Sequence, residues 1–496
     1  MKSDGFLWQA FLIFAACAYT PLRVWAGTPE SSALLTSALV IVALTALGLG
    51  IRAIFVAKGA DRLGTTYAVA IFFLAFLSTG LLVEWTTGGR WIGLGIGVLL
   101  SGIAYRLRDM GLFRLLMAWG AFFLLLLPIL SYLNTSNSGE ITISANNALI
   151  TSGFESHPDV VVIVLDGYPS DSVLREFHDF DNSAFYSDLG GVGMTIDQDV
   201  RSNFPATMLS VANTLNLDYL VGEQHLSPSD IEFLYEMLGG NNPMARILRE
   251  NGYSQTVVES GWLNSRCQSM VDECVAMPWP DETVFGISMH TLLRGAPGFE
   301  VGYSFSRGAR HSLGWLENDL EPLLRNDVSD YVYVHVLAPH PPFFLTSSCE
   351  MNPTKALSGF TTGAPGLTRE QVSIRSEGYV DQIRCLNGVL PSVAEAAIEN
   401  DAIIVMFGDH GSDTGGQLFL EGSEWTDADI RERFGPFFAG YGPGCDFDHL
   451  GSLVNVSRRI VACLSGDHLP DLATRAFVHT KDWDLTEIEM EGSILG

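Results

Sequence analysis

The sequence predicts a five-helix transmembrane region followed by an α/β domain with a mainly parallel central sheet. Three observations predict it. Five apolar segments crowd the first 133 residues, nearly all the negative charge lies beyond residue 150, and three unbroken apolar runs in that later part each end beside residues able to do chemistry. The 496-residue chain is 47% hydrophobic and only 17% charged, with mean hydropathy +0.23, which excludes a disordered chain and calls for a membrane component. Its net charge of −28 is unevenly spread. Residues 1–150 hold 9 basic and 6 acidic side chains, leaving 19 and 50 for the rest. An acidic domain of that kind without a basic stripe repels phosphate backbones, so no nucleic-acid partner is expected.

The apolar segments lie at about 6–22, 33–51, 67–83, 91–105 and 115–133, most near the ~20 residues that a spanning helix needs. Four further segments follow the first, and no clear small-residue cleavage site stands after it, which disfavours a cleaved signal peptide. With the N-terminus inside, Lys2, Arg52, Lys58, Arg62, Arg106, Arg108 and Arg114 fall on the inner side, against Arg23 and Arg90 outside. Basic residues collect on the cytoplasmic side, so an odd number of spans and an exported C-terminal domain are expected. The few ionisable residues of this region, such as Asp61 and Glu84, fall at segment ends. It therefore reads as an anchor rather than a transport path. Cys267, Cys274, Cys349, Cys385, Cys445 and Cys463 suit up to three disulfides if their part is exported, the alternative being six free thiols.

The predicted boundaries are 1–133 for the transmembrane region, 134–157 for a Ser/Asn/Thr-rich linker, 158–470 for the catalytic domain and 471–496 for a tail. Residues 159–166, 331–337 and 402–407 read as strands buried on both faces, with helix-like stretches around 207–216, 243–251, 311–326 and 376–398 between them. In such sheets functional groups gather at the carboxyl ends of the strands. The first strand ends in Asp166-Gly167 and the last in Gly408-Asp409-His410-Gly411. Two carboxylates and an imidazole between glycines make a plausible divalent-cation site, although a lone Asp-Gly is more often a turn or a cap. Pro205 looks like the first residue of a helix, putting Thr207 in the first turn, where free amides favour a phosphate. A Thr hydroxyl becomes a nucleophile when deprotonated, and coordination to a metal is one way to achieve this. Arg201 and Asn203 are candidates for holding phosphate oxygens, Asp413 for a partner to a metal ligand, and Trp262, Trp279 and Tyr303 for lining a lipid-headgroup pocket.

An ordered set of motifs carries a resemblance. Val162-Ile-Val-Leu-Asp166-Gly, Asn203-Phe-Pro-Ala-Thr207-Met-Leu-Ser, Ala338-Pro-His340-Pro-Pro-Phe and Phe407-Gly-Asp409-His410-Gly resemble the alkaline phosphatase superfamily in its sulfatase-like branch. Tyr379-Val-Asp-Gln-Ile-Arg-Cys-Leu-Asn387 and Val454-Asn-Val-Ser-Arg-Arg extend the likeness over about 158–465. Within that branch the chain is most similar to lipoteichoic acid synthases and phosphoethanolamine transferases, which join membrane helices to an exported catalytic domain.

The resemblance implies one divalent metal ion (Mn²⁺, Mg²⁺ or Zn²⁺) held by Asp166, Asp409, His410 and Thr207. It also implies Thr207 as nucleophile, and His340 as contact to the phosphate or proton donor to the leaving group. Asp166 stands where lipoteichoic acid synthases have Glu. The 331–344 segment offers only His335 and His340 rather than an Asp-x-x-x-His pair, so a single metal is expected, with His335 as a hydrogen-bonded core residue and His449 and His468 unassigned. No Cys-x-Pro-x-Arg string occurs, which disfavours sulfate-ester hydrolysis. The expected function is a membrane-bound, extracytoplasmic phosphotransferase. It would move a phospholipid headgroup (phosphoglycerol or phosphoethanolamine) to an envelope glycan or polymer through a phospho-threonine. The alternatives are a phosphodiesterase or phosphatase of the same fold, or a silent scaffold.

Overall fold

The computed structural model describes residues 10–18, 31–82, 89–135, 153–261, 266–277, 302–341, 343, 345–350, 369–414, 424–480 and 482–490. They form two compact units, one ending at Ser138 and one beginning at Gly139. In the first unit five helices coincide with the five apolar segments: α1 (residues 10–18), α2 (Ser31–Ala57), α3 (Arg62–Leu82), α4 (Gly89–Leu107) and α5 (Gly111–Thr135). Ile13, Ala16 and Cys17 of α1 pack on Leu44 of α2 and on Val69 and Phe73 of α3. Among the described residues no helix is long and apolar enough to cross a membrane, so the spanning expectation rests on sequence alone.

The second unit runs β1 (Val160–Leu165), α6 (Asp171–His178), α7 (Ser183–Gly191), β2 (Thr195–Ile196), α8 (Thr207–Leu215), α9 (Pro228–Leu238), α10 (Pro243–Glu250), β3 (Ser254–Val258) and β4 (Glu273–Val275). It continues through α11 (Gly302–Asn318), α12 (Leu320–Leu324), β5 (Asp330–Val336), α13 (Arg369–Glu399), β6 (Ile403–Gly408), α14 (Asp427–Arg433), β7 (Phe438–Tyr441), α15 (Val454–Ser465), β8 (Ala476–His479) and β9 (Leu485–Ile488).

A seven-stranded sheet has the order β2-β7-β6-β1-β5-β3-β4. The expected mainly parallel sheet is in fact mixed: the run from β6 to β4 is parallel, whereas β7 is antiparallel to β6 and β2 to β7. The reason lies in the connection. Phe437 O accepts from Gly408 N, so β7 starts at the end where β6 stops and runs back beside it. Every residue of β1 is buried. Val160, Val162 and Val164 join one core with α8, α10 and α15, while Val161, Ile163 and Leu165 join another with α7, α11 and α13. An unbroken apolar run is the sequence of a strand covered on both faces.

The stretch expected as a tail is part of the fold. Residues 476–488 form an antiparallel hairpin, and the fully buried Phe477 stacks on Phe204 at 5.2 Å. Three disulfides, Cys267–Cys274, Cys349–Cys385 and Cys445–Cys463, use the six later cysteines, leaving Cys17 free.

Candidate active site

Strand register builds the site. Leu165 pairs with Val336 on one side and Gly408 on the other, so Asp166 and Asp409, each the next residue along, emerge side by side at the carboxyl edge of the sheet. His410 follows. Ligand atoms of Asp166, Asp409 and His410 all lie within 4.8 Å of one another, and all three residues are buried. His410 Nε2 stands 3.8 Å from Asp166 Oδ1 and 3.3 Å from Asp409 Oδ2. Its other ring nitrogen, Nδ1, is 2.9 Å from Gly411 O. A carbonyl only accepts, so Nδ1 carries the proton and Nε2 presents a lone pair to the carboxylates. Burial and the neighbouring Arg433 push His410 well below the usual imidazole value, which keeps it neutral.

The carboxylates are poorly served by the protein itself. Asp409 Oδ1 accepts from Gly167 N (2.8 Å) and His410 N (3.0 Å). Asp409 Oδ2 and both oxygens of Asp166 are buried with no hydrogen-bond partner among the described residues. Burial pushes Asp409 up to about 7, and the charge of Asp166 adds to the rise. Burial acts against Asp166 too, but His340 and His335 hold it well below the ordinary carboxylate range. Orphaned carboxylate oxygens in a buried cluster are costly unless a cation compensates them. Two carboxylates, an imidazole and a nearby hydroxyl fit a divalent ion of the Zn²⁺, Mn²⁺ or Mg²⁺ type.

The hydroxyl is that of Thr207, whose Oγ1 lies 3.3 Å from His410 Nε2. Helix α8 starts at Thr207 with Ala206 as its N-cap, two residues later than the proline suggested. Thr207 thus sits at the open amide end of a fully buried helix. Ser210, one turn on, donates to Asp409 O at 2.6 Å and ties the helix to the strand end. Arg433, at the end of α14, clamps the approach: its Nε donates to Pro205 O (2.8 Å), one Nη to Gly411 O (3.2 Å) and the other to His410 Nε2 (3.1 Å). Its neighbour Glu432 accepts from Ser412 Oγ, Thr414 N and Thr414 Oγ1 at 2.7–2.8 Å, pinning the loop after His410. Gly411 is required there, since a Cβ would meet Glu432 O at 1.8 Å.

A cavity of about 580 Å³ opens from this cluster, lined by Gly167, His340, Arg375, Tyr379, His410 and Arg433 among others. His340 lines this cavity, with Nδ1 turned to Pro341 O and its own carbonyl accepting from Gln382 Nε2 at 3.2 Å. Helix α13 organises this wall. Tyr379 OH donates to Gly167 O (2.6 Å), and Asn387 Oδ1 accepts from Tyr168 OH (2.5 Å). The 379–387 motif thus supplies hydrogen bonds rather than reacting groups.

Other candidates fall elsewhere. Asn203 is consumed structurally, its Nδ2 donating to Tyr219 Oη (2.8 Å) and Arg475 O (2.7 Å) while Oδ1 accepts from Ser452 Oγ (2.9 Å). Arg201 is bridged to Ser452 and does not line the cavity, whereas Asp413 does. His449 and His468 are exposed. Trp262, Trp279 and the Tyr303 side chain lie outside the described residues. His335, expected to be hydrogen-bonded in the core, is buried with neither ring nitrogen hydrogen-bonded among the described residues, and Nε2 lies 3.5 Å from Asp166 Oδ2. Glu259 with Cys267 and Cys274 also clusters, but the disulfide removes the thiolates a metal would need. Arg433, Glu432, Arg375 and His178 carry no motif; Glu432 and Arg433 are the buried last two residues of the short capped helix α14.

No family model matches the chain, and no curated protein matches it. Among solved structures it is similar to the C-terminal periplasmic domain of EcEptC from Escherichia coli in complex with Zn, at 13% identity over 69% of this chain and 96% of that one, with TM-score 0.43. It is also similar to the integral membrane protein lipooligosaccharide phosphoethanolamine transferase A (EptA) from Neisseria meningitidis, at 13% identity over 92% and 95%, TM-score 0.42. A third likeness is to the phosphonate monoester hydrolase of Agrobacterium radiobacter, at 14% identity over 65% and 80%, TM-score 0.41. At these values, substrate and mechanism have to be argued from the chain's own residues.

Proposed function

We propose that the chain is a metal-dependent phosphotransferase acting on phosphate diesters, with Thr207 as nucleophile. The observation that carries this reading is the meeting of Thr207 Oγ1, at a helix N-terminus, with the buried and undersupplied oxygens of Asp166 and Asp409 and the lone pair of His410. Asp166, Asp409, His410 and Thr207 would hold one divalent ion. Such an ion lowers the pKa of a bound hydroxyl and offsets charge on the transferred phosphoryl group. Thr207 gives up its hydroxyl proton to solvent and attacks phosphorus through Oγ1, the bond from phosphorus to the leaving oxygen breaks, and His340, which lines the cavity, would protonate the departing alkoxide. Arg433 holds the Pro205 carbonyl and so fixes the entry to the helix that carries the nucleophile. An acceptor hydroxyl then takes the phosphoryl group from the phospho-threonine; water in its place makes the same site a phosphodiesterase.

In this reading the donor is a membrane phospholipid, the headgroup being phosphoglycerol or phosphoethanolamine, and the acceptor an envelope glycan or polymer. The N-terminal helices span the membrane with residues 158–470 outside. The seven-to-two bias of basic residues and the three disulfides support that side assignment. The test is intact-mass analysis of the purified full chain incubated with divalent metal and membrane lipids but no acceptor. An adduct mapping to Thr207, absent after chelation and absent in Thr207→Ala, is expected. Undiminished lipid turnover by Thr207→Ala would overturn the mechanism.

A further inference from the structure

Arg375 does not take part in the chemistry just described, and its setting is unusual. It is only 7% exposed, lines the cavity, and its Nε has no hydrogen-bond partner among the described residues. Of the two carboxylates whose charge it feels, Asp413 also lines the cavity, and Glu432 is already occupied by Ser412 and Thr414. Beside it stands His178, which also lines the cavity. The His178 ring stacks on Tyr379 at 4.5 Å, Nδ1 lies 3.4 Å from Ser376 Oγ, and Nε2 is buried without a partner among the described residues. Burial and the charge of Arg375 push His178 down to about 4, so the ring is neutral, and in the tautomer whose Nδ1 accepts from Ser376 the Nε2 offers an N–H. Glu176, another lining residue, is tied to Arg431 at 2.9 Å. The cavity thus contains a buried guanidinium and an imidazole donor that the fold leaves under-partnered.

Their position separates them from the reacting phosphorus. Tyr379 marks the inner end of the wall through its bond to Gly167 O, and Arg375 lies one turn earlier on α13, about 6 Å further along the helix axis. We propose that Arg375 and His178 form a second anion site, so that the substrate is a phosphate ester carrying a further phosphate or carboxylate group away from the reacting phosphorus. This rests on the phosphotransfer chemistry above but not on its headgroup: neither phosphoglycerol nor phosphoethanolamine carries a second anion, and a donor that does takes their place. A guanidinium matches either anion through paired N–H donors.

The experiment uses the full chain in detergent with two series of p-nitrophenyl phosphodiesters. One carries ω-carboxyalkyl groups of two to five carbons, the other the uncharged ω-carbamoyl isosteres. For at least one length the wild type is expected to favour the carboxylate in kcat/KM by tenfold or more. Arg375→Gln should collapse that ratio to near one, and Arg375→Lys should restore part of it. Calorimetric binding of the matching ω-carboxyalkylphosphonates, with alkylphosphonates as controls, reads the site without turnover and should show the same loss in Arg375→Gln. If neither ester series is turned over, the phosphotransfer reading fails, and calorimetry alone decides the anion site. An equal fall for both series, or equal phosphonate binding by wild type and Arg375→Gln, overturns it. Thermal midpoints guard against misfolding: removing an under-partnered buried charge should not lower Tm, and a large drop in both variants would mark Arg375 as structural.

Discussion

Arg433 shows how much one side chain can organise. Its guanidinium joins the carbonyls of Pro205 and Gly411 and the ring of His410, three points on two separate segments. A lysine keeps the charge but loses the planar fork. Arg433→Lys is therefore expected to lower kcat/KM about 10- to 100-fold, in the range for misplaced reacting groups, with the bound metal retained. Steady-state kinetics beside metal analysis checks this, and unchanged kcat/KM would show that the clamp has no catalytic consequence. Tyr379 offers a subtler case. Its hydroxyl donates to Gly167 O from a buried position, so Tyr379→Phe should cost about 1–3 kcal/mol of stability, the usual penalty for stranding a buried acceptor. Denaturant titration of the purified chain measures it, and a loss below a few tenths would mean that the carbonyl finds another donor.

At the level of elements, β1 and β6 were legible because their apolar runs are unbroken, and the Asp-Gly and Asp-His that follow them announced the site. Helix α13 was half legible: its motif could be quoted, but its task of holding Gly167 and Tyr168 depends on partners more than 200 residues away, and its hold on His340 on one 42 residues away. The β8–β9 hairpin was not legible as part of the domain, since two strands of four residues carry little pattern. Yet Phe477 N donates to Asn203 O at 2.9 Å, and its ring covers Phe204, three residues before Thr207. Phe477→Ala should destabilise the domain by about 3–5 kcal/mol, as large-to-small changes in a closed core do. It should also weaken turnover beyond what the unfolded fraction explains. Hydrogen exchange of residues 201–207 would register the loosening; protection equal to wild type would leave the hairpin with no hold on the site.

Over the whole molecule, acidic groups set the pH response. Asp159, just ahead of β1, is pushed up to about 6 by burial and by the like charge of Asp330, although its Oδ1 accepts from Asp330 N at 2.7 Å. A carboxylate whose folded value lies above its unfolded value disfavours the folded state once ionised. The penalty is absent below about pH 3.8, grows between there and 6, and is full above 6. Asp159→Asn keeps an acceptor for Asp330 N and removes the charge. Its Tm should exceed that of wild type at pH 8 and match it near pH 4; a constant difference across that range would refute the assignment.

From the sequence alone followed the strands buried on both faces, because an unbroken apolar run is a local signal, whereas Asp166, Thr207, Asp409 and His410 were singled out together by the ordered motif set they belong to. The antiparallel sheet edge, the disulfide pairing, the hold of the C-terminal hairpin, and the gathering of Arg433, His178 and Arg375 around one cavity were decided by tertiary structure. Those features depend on where distant segments meet, and meeting is governed by strand register and by the packing of two cores, neither of which leaves a mark at a single position in the chain.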